Sequence, residues 1–230
     1  MRKARARSLR RIVRALRDFY GKPPALPTGD PFELILRENV AYLADDTRRE
    51  AAFRMLKERV GLSPEKILAA PRAALHEVAR HGIVPAATVE KLREIARIAL
   101  EDFGGDLEAA GALPLEDAKK ALRRFPSIGE PGAEKVLLFS GFHPVLALDS
   151  NGLRVLLRLG FGKEGRSYAK SYRSAQQEAA GQLPKDRGVL IEAHRLLRLH
   201  GRELCKTNHP RCEACPVAGE CAYYRSLASA

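Results

Sequence analysis

The sequence predicts an all-α fold, because apolar residues recur at helical spacing along most of the chain and no convincing period-two strand pattern appears. Proline and glycine separate the periodic segments, as expected for loops between helices. Amphipathic helices are predicted over residues 32–44, 48–60, 73–81, 87–103, 115–125, 133–139, 152–159 and 186–199, with loops at 22–30 and 104–114.

Charge indicates the class of partner. The chain has 230 residues and a formal net charge of +12 at pH 7, and such an excess of cations concentrates polyanions near the surface. Nucleic acid is therefore the expected partner. The longest apolar runs, such as residues 136–139, are far shorter than the roughly 18 residues of a membrane span. We expect no membrane partner and a monomer.

The first twenty residues contain eight Lys or Arg and a single acid, Asp18. This composition is typical of a mitochondrial transit peptide, but it also fits a folded amphipathic helix with a basic outer face, which we favour. The apolar residues at helical spacing are Leu9, Ile12, Val13, Leu16 and Phe19. No secretion signal is recognisable, so a cytoplasmic, nucleoid-associated location is expected for a prokaryotic source.

All four cysteines lie close together, in the pattern Cys205-x6-Cys212-x2-Cys215-x5-Cys221. A disulfide framework would spread its cysteines along the chain, so the clustering predicts a metal centre. Four thiolates suit either tetrahedral zinc or a 4Fe-4S cluster. Zinc sites usually repeat a short C-x2-C pair and this run has only one, which weakly favours iron-sulfur.

A short turn at residues 125–129 and a polar segment about twenty residues later are the other notable motifs. The turn, Phe-Pro-Ser-Ile-Gly, would leave backbone amides free at the start of the next helix, where they can hold a phosphate. Pro131 fits the first position of that helix. Asp149 precedes the helix predicted to include Gly152, where aspartate is a common N-cap.

The cysteine spacing resembles the cluster loop of endonuclease III and the mismatch adenine glycosylases, within the helix-hairpin-helix DNA glycosylase superfamily. The turn resembles the family hairpin L-P-G-x-G, with Phe125 and Ser127 as departures. The segment Asp149-Ser-Asn151-Gly-Leu-Arg-Val resembles the adenine glycosylase version D-G-N-x-x-R-V more closely than D-T-H-x-x-R-V of endonuclease III.

The resemblance implies two helical lobes: a six-helix lobe at 32–143 and an iron-sulfur cluster lobe at 1–31 and 144–230. Double-stranded DNA with a flipped-out base would lie across the cleft. The resemblance also implies that the cysteines hold the cluster, while the hairpin and the cluster loop bind phosphate. The corresponding phosphate-binding residues are Ser127, Gly129, Lys206, His209 and Arg211, and the basic run Lys119, Lys120, Arg123 and Arg124 either adds to them or is a solvated face.

The resemblance further implies that Asp149 is the essential carboxylate, with Asn151 as its polar partner. Cleavage of an N-glycosidic bond leaves positive charge on the sugar. A carboxylate either stabilises this charge or orients the water that attacks the sugar. Glu38 aligns with the glutamate that protonates the departing base, although a salt bridge with Arg37 or a neighbour is equally expected. Tyr42 stands where the family has a glutamine that fills the gap left by the flipped nucleotide, so it is either a DNA-contacting wedge or part of the core.

Bifunctional members of the family form a Schiff base through a lysine at the position that Pro131 occupies here. A monofunctional, water-using glycosylase is therefore expected, acting on a base that the sequence does not identify. Two alternatives are a glycosylase and abasic-site lyase that uses Lys135 or another amine, and a non-catalytic iron-sulfur protein that binds DNA or senses redox state.

Overall fold

The computed structural model describes residues 8–26 and 28–227, and within these residues the regular structure is entirely helical. The all-α prediction is confirmed. The α-helices are α1 (Leu9–Tyr20), α2 (Pro31–Asn39), α3 (Asp46–Arg59), α4 (Pro64–Ala69), α5 (Arg72–Ala79), α6 (Pro85–Phe103), α7 (Glu108–Gly111), α8 (Leu115–Leu122), α9 (Glu130–Ser140), α10 (Ser150–Leu159), α11 (Tyr168–Ala179), α12 (Arg187–Glu203) and α13 (Ala222–Leu227). Two short 3-10 helices, Cys212–Ala214 and Ala218–Glu220, lie between α12 and α13.

The chain divides into two compact units. The first unit contains the residues up to Ala25 and those from Pro144 onwards, and the second unit contains Leu26–His143. Pro31, which we predicted to end the N-terminal segment of the cluster lobe, is the first residue of α2 and lies in the second unit.

Side-chain caps fix where many of the helices begin. An aspartate or serine oxygen accepts a hydrogen bond from the third residue after it, which satisfies a backbone amide that the helix itself leaves unpaired. These N-caps are Ser8, Asp30, Asp45, Ser63, Asp149, Ser167 and Asp186.

In the second unit, the long helix α6 packs against α2, α4 and α5, while α9 packs on α2 and α8. Fully buried side chains such as Ile35, Leu92 and Val136 form its core. The helices α8 and α9 flank the turn predicted at residues 125–129 and form a hairpin with it.

In the first unit, α10 and α12 pack against each other, α1 packs on α12, and α11 packs on α10. Gly201 permits the close approach of α12 to α10, because a Cβ added there would lie only 2.7 Å from the carbonyl oxygen of Asn151. Leu9, Ile12 and Leu16 of α1 are fully buried, so the folded-helix interpretation holds for residues 9–20.

Several predicted helix bounds were wrong. The helix predicted at 32–44 ends at Asn39, after which the chain turns and Leu43 adopts a positive φ of 65°. The helix predicted at 133–139 begins at Glu130, so Pro131 occupies the second helical position, not the first.

Four α-helices were missed inside predicted loops or unassigned segments: α4, α7, α11 and α13. Helix α7 has only four residues, too few to show a period, and lies within the predicted loop 104–114. Helix α11 buries mainly small or polar residues such as Ser171, Ala175 and Ala179, so its apolar stripe is weak. Within the part of the chain that is described, no helix is long and apolar enough to cross a membrane.

Candidate functional site

The carboxylate of Asp149 is held by three donors at the start of α10. Its Oδ1 accepts a hydrogen bond from the Gly152 amide at 2.7 Å. Its Oδ2 accepts one from Nδ2 of Asn151 at 3.2 Å and lies 3.1 Å from Nε of Arg198 on α12. The side chain remains 23% exposed. Asp149 is therefore an N-cap and also a positioned, partly accessible carboxylate. Its catalytic role stays a prediction.

The three residues before Asp149 are anchored from α11 and α12. Nε2 of Gln176 donates to the Leu146 carbonyl at 3.0 Å, and Nδ1 of His194 donates to the Ala147 carbonyl at 2.9 Å. The Leu148 amide donates to the hydroxyl of Tyr172, which is buried, at 3.3 Å. These contacts replace backbone pairing for an extended segment and fix where the carboxylate emerges.

Asn151 connects Asp149 to the cysteine segment through Arg154. Nη2 of Arg154 donates to Oδ1 of Asn151 at 2.9 Å and to the Gly201 carbonyl at 2.7 Å. Nε of Arg154 donates to the Cys205 carbonyl at 2.9 Å. Because Arg154 fixes the Asn151 amide oxygen, the amide nitrogen is directed at Asp149, in agreement with the predicted partnership.

Tyr168, the first residue of α11, lies close enough to Asp149 for the carboxylate charge to affect the pKa of its hydroxyl. Burial raises the pKa of Tyr168 to about 12, with the negative charge of Asp149 contributing in the same direction. Its ring is 48% exposed and stacks on Tyr172 with centroids 6.0 Å apart. Neither Tyr168 nor Arg198 was predicted as a site residue, since nothing in their local sequence places them beside Asp149.

The hairpin turn leaves the start of α9 without a side-chain cap. Gly129 is the N-cap residue and offers no side-chain acceptor, so the first amides of α9 remain available to an anion. Ser127 is exposed and adopts a positive φ of 59°, at the position where the family motif has glycine. Phe125 is buried and stacks on Phe103, which fixes the turn to α6.

The four cysteines line one cavity, together with Arg158, His200 and Tyr223. Nη1 of Arg158 lies 3.5 Å from Sγ of Cys205, and Nε2 of His200 lies 3.5 Å from Sγ of Cys215. Among residues 8–26 and 28–227, no three His, Cys, Asp or Glu side chains are already arranged as a metal site. Four thiols around one cavity are nevertheless the donor set that a zinc ion or an iron-sulfur cluster requires.

Relatives place these features in a family, although no family model matches the chain. The chain is 26% identical over 201 residues to endonuclease III of Thermotoga maritima, covering 85% of this chain and 84% of that protein. It is 25% identical over 228 residues to thymine-DNA glycosylase of Aeropyrum pernix, covering 97% of each. These homologues are DNA glycosylases and support the placement of this chain in the helix-hairpin-helix superfamily.

Solved structures of this superfamily share the fold. A trapped endonuclease III–DNA covalent intermediate matches with a TM-score of 0.74 at 20% identity, over 97% of this chain and all of the other. A thermostable thymine-DNA glycosylase matches with a TM-score of 0.75 at 19% identity, over 95% of this chain and 97% of the other. At this level of identity the likeness shows the fold alone.

The predicted cluster loop, residues 206–211, is held by Arg158. Its guanidinium donates to the carbonyls of Lys206 at 2.6 Å and Thr207 at 3.0 Å. The residues predicted to bind phosphate, Lys206, His209 and Arg211, are all exposed. Their role in DNA binding stays a prediction.

Glu38 forms a salt bridge with Lys135 of α9, while Arg37 pairs with Glu50. The salt bridge expected for Glu38 as the alternative to an acid role is therefore made with Lys135 and not with Arg37. An adjacent ammonium favours the ionised carboxylate, whereas the general acid predicted for glycosylases of the adenine type must carry a proton. The acid role of Glu38 stays a prediction, and this contact weighs against it.

Tyr42 is 42% exposed, so it is not a core residue. Nζ of Lys91 lies 4.7 Å from the centre of its ring and donates to the Ser127 hydroxyl at 3.0 Å. Lys91, which the sequence did not single out, thus joins Tyr42 to the hairpin turn. The wedge role of Tyr42 stays a prediction.

Lys119 was considered for the phosphate surface, but it is buried. Its ammonium lies 3.0 Å from carboxylates of Glu116 and Glu130 and 3.2 Å from Glu134, whose side chain is only 5% exposed. This residue therefore fastens α8 to α9 instead of facing solvent. Arg124 of the same run pairs with Asp102.

Proposed function

We propose that this chain is a monofunctional DNA glycosylase of base excision repair, which hydrolyses the N-glycosidic bond of a damaged or mismatched base and leaves an abasic site. Membership of the superfamily supports DNA glycosylase activity. The observation that carries the mechanism is the Asp149 carboxylate, which Gly152, Asn151 and Arg198 hold at a partly exposed helix start.

In the proposed reaction, the bond between the sugar carbon C1′ and the base nitrogen breaks, and its electron pair leaves with the base. The positive charge that develops on the sugar is stabilised by the ionised Asp149. Water then attacks C1′, and the proton that it loses neutralises the departed base, so the products are an abasic sugar and a neutral free base. Three fixed donors keep the carboxylate in one orientation, so little reorganisation is needed as the charge appears.

The surroundings of the amines support a hydrolytic mechanism over a lyase mechanism. A Schiff base needs a free, uncharged amine as nucleophile. Pro131 has none at the hairpin position, Lys135 is ion-paired with Glu38, and Lys91 donates to Ser127.

A 4Fe-4S cluster held by Cys205, Cys212, Cys215 and Cys221 is the proposed cofactor, with zinc as the alternative. All four cysteines line one cavity, and their spacing, which contains a single C-x2-C pair, favours iron-sulfur. A bound cluster would cross-link the segment 205–221 and contribute folding energy there. Iron, sulfide and zinc analysis of purified protein distinguishes the two cofactors.

DNA binding is proposed to use the uncapped start of α9 after Gly129, the exposed Ser127, and the cluster-loop residues Lys206, His209 and Arg211. These groups suit phosphate, which cations and free helix-start amides recognise without reading sequence. The exposed ring of Tyr42 is proposed to fill the gap left by an extruded nucleotide.

The deciding experiment incubates the protein with duplexes that each carry one lesion or mismatch, and scores base release with and without alkaline cleavage. Strand breaks that appear only after alkali support the proposal and identify the base. Breaks without alkali, or a complex trapped by borohydride, would replace it with the lyase alternative. Tight DNA binding with no base release from any duplex would favour the non-catalytic alternative.

A further inference from the structure

Residues 163–173, here termed the basic segment, form an exposed surface whose charge the proposed mechanism does not use. The segment has one acid, Glu164, and an exposed aromatic side chain, Tyr168. Its four cations are exposed, and none of them forms an ion pair with any residue among 8–26 and 28–227. These cations are Lys163, Arg166, Lys170 and Arg173.

The basic segment contains the start of α11, and the residues just before that helix, 162–165, are packed onto it. A Cβ added at Gly165 would lie 2.6 Å from Cβ of Lys170, and one at Gly162 would lie 2.6 Å from the Ala175 amide nitrogen. The hydroxyl of Ser174 accepts a hydrogen bond from the Lys163 amide, and that of Ser171 accepts one from Gly165, both at 2.9 Å. The segment is therefore a preformed surface.

The exposed ring of Tyr168 is connected to the candidate catalytic carboxylate of Asp149 through one intervening side chain, that of Tyr172. One face of Tyr168 stacks on Tyr172 at 6.0 Å, which leaves 48% of the residue exposed. The hydroxyl of Tyr172 in turn accepts the amide of Leu148, the residue directly before Asp149. The exposed ring, its supporting ring and the Asp149 loop are thus fixed to each other within one unit.

We propose that the basic segment is a DNA-binding surface beside Asp149, on which Tyr168 stacks against an unstacked base while Arg166 and Lys170 bind the flanking phosphates. An exposed aromatic ring between unpaired cations is the arrangement that binds single-stranded or locally unpaired nucleic acid. The inference deepens the proposed function, because a base to be removed must first leave the duplex stack.

The test compares binding of two single-stranded probes by fluorescence anisotropy over a range of salt concentrations. One probe is a short oligothymidylate, and the other has the same length but carries base-free sugars at its central positions. Both probes have the same phosphate charge, so only the first offers rings to Tyr168. The variants are Tyr168→Ala, Tyr168→Phe, Arg166→Gln and Lys170→Gln.

Tyr168→Ala is expected to weaken oligothymidylate binding about tenfold, near the lower end of what base–aromatic stacking contributes. It should change binding of the base-free probe less than twofold, by about the scatter of such measurements, since no ring is lost there. Tyr168→Phe keeps the ring and should bind like the parent protein. Arg166→Gln and Lys170→Gln should weaken both probes and reduce the salt dependence by about 0.7 for each phosphate that is no longer bound.

A matched control removes the same formal charge elsewhere. Arg54→Gln and Lys57→Gln change exposed cations of α3, in the other unit, and should leave the affinity and salt dependence for both probes unchanged. Equal losses for the base-free probe and oligothymidylate in Tyr168→Ala, or no loss in either, would overturn the stacking assignment. Salt dependence unchanged in both cation variants would overturn the phosphate assignment.

This binding test needs no turnover, so it separates the inference from the proposed function. If the parent protein releases a base and all four variants bind both probes as the parent does, the DNA-binding surface is rejected and the glycosylase proposal stands. Conversely, the expected binding pattern without base release from any duplex would leave the DNA-binding surface in place and remove the glycosylase proposal.

Discussion

Nε of Arg198 lies 3.1 Å from Oδ2 of Asp149, a contact between α12 and the start of α10. The side chains are 29% and 23% exposed, so the pair is only partly screened by water. A guanidinium in this place fixes the orientation of the carboxylate and compensates its charge before substrate arrives. The contact makes Arg198 a positioning residue for the proposed reaction.

Asp149→Asn is expected to lower single-turnover base release by at least about 100-fold, because the neutral amide no longer stabilises the positive sugar. Asparagine is as good an N-cap as aspartate, so the melting temperature should change little. Duplex binding measured by anisotropy serves as the control and should persist. Turnover close to that of the parent protein would contradict the role of Asp149.

Arg198→Met is expected to reduce base release about tenfold, which corresponds to loss of roughly 1.4 kcal/mol of transition-state stabilisation. Arg198→Lys keeps the positive charge but loses the Nε donor geometry, so its rate of base release should lie between those of Arg198→Met and the parent protein. The loss should appear in the rate at saturating DNA and not in the affinity. An effect confined to DNA affinity would show that Arg198 binds phosphate instead of positioning Asp149.

Tyr172→Phe should destabilise the fold by about 1–3 kcal/mol, because the buried Leu148 amide loses its acceptor. Base release should fall as well, since Leu148 precedes Asp149. Chemical denaturation and single-turnover assays measure the two effects. The matched control is Tyr168→Phe, which removes a hydroxyl from an exposed ring and should leave both quantities unchanged.

Lys119→Met should cost about 3 kcal/mol in the free energy of unfolding, because it leaves the buried carboxylate of Glu134 without its ammonium partner. Lys120→Met, at an exposed neighbouring position of α8, should cost almost nothing. Similar costs for the two variants in urea denaturation would show that Lys119 does not fasten the hairpin.

The same cluster predicts a pH dependence. Burial lowers the pKa of Lys119, but hydrogen bonds to Glu130 and Glu116 and the charge of Glu134 outweigh it, so the pKa lies above its ordinary value. A raised pKa in the folded state contributes stability that is fully present below the ordinary lysine pKa of about 10.4 and is lost as pH rises above it. The gap in stability between the parent protein and Lys119→Met should narrow in that range.

Pro131→Lys is expected to introduce lyase activity, detected as a DNA complex trapped by borohydride. The substitution supplies an amine at the hairpin position where bifunctional relatives have their nucleophile. Pro131→Gln, which changes the backbone in the same way without an amine, is the control and should trap nothing. Trapping by the parent protein would identify a different amine and contradict the monofunctional proposal.

Local patterns predicted the fold class and the motifs because each depends on neighbouring residues. Helical spacing, the cysteine run and the turn before Glu130 are all readable within about twenty residues. Of the four missed helices, α4 and α13 have only six residues each and α7 is a single turn, while α11 buries mainly small or polar side chains, so the local signal is weak. Pro131 was placed one position too early because helix α9 begins at Glu130, before the first apolar residue of its pattern.

The amino-acid sequence by itself determined the candidates for the chemistry, since their identities and spacings are local: the four cysteines, the hairpin turn and the Asp149–Asn151 pair. Tertiary structure alone decided their neighbours. Arg198 lies 49 positions from Asp149 in the chain, and Lys135 meets Glu38 across an even larger separation. Such pairings depend on how helices pack, and packing brings together residues whose separation in sequence carries no signal of their proximity.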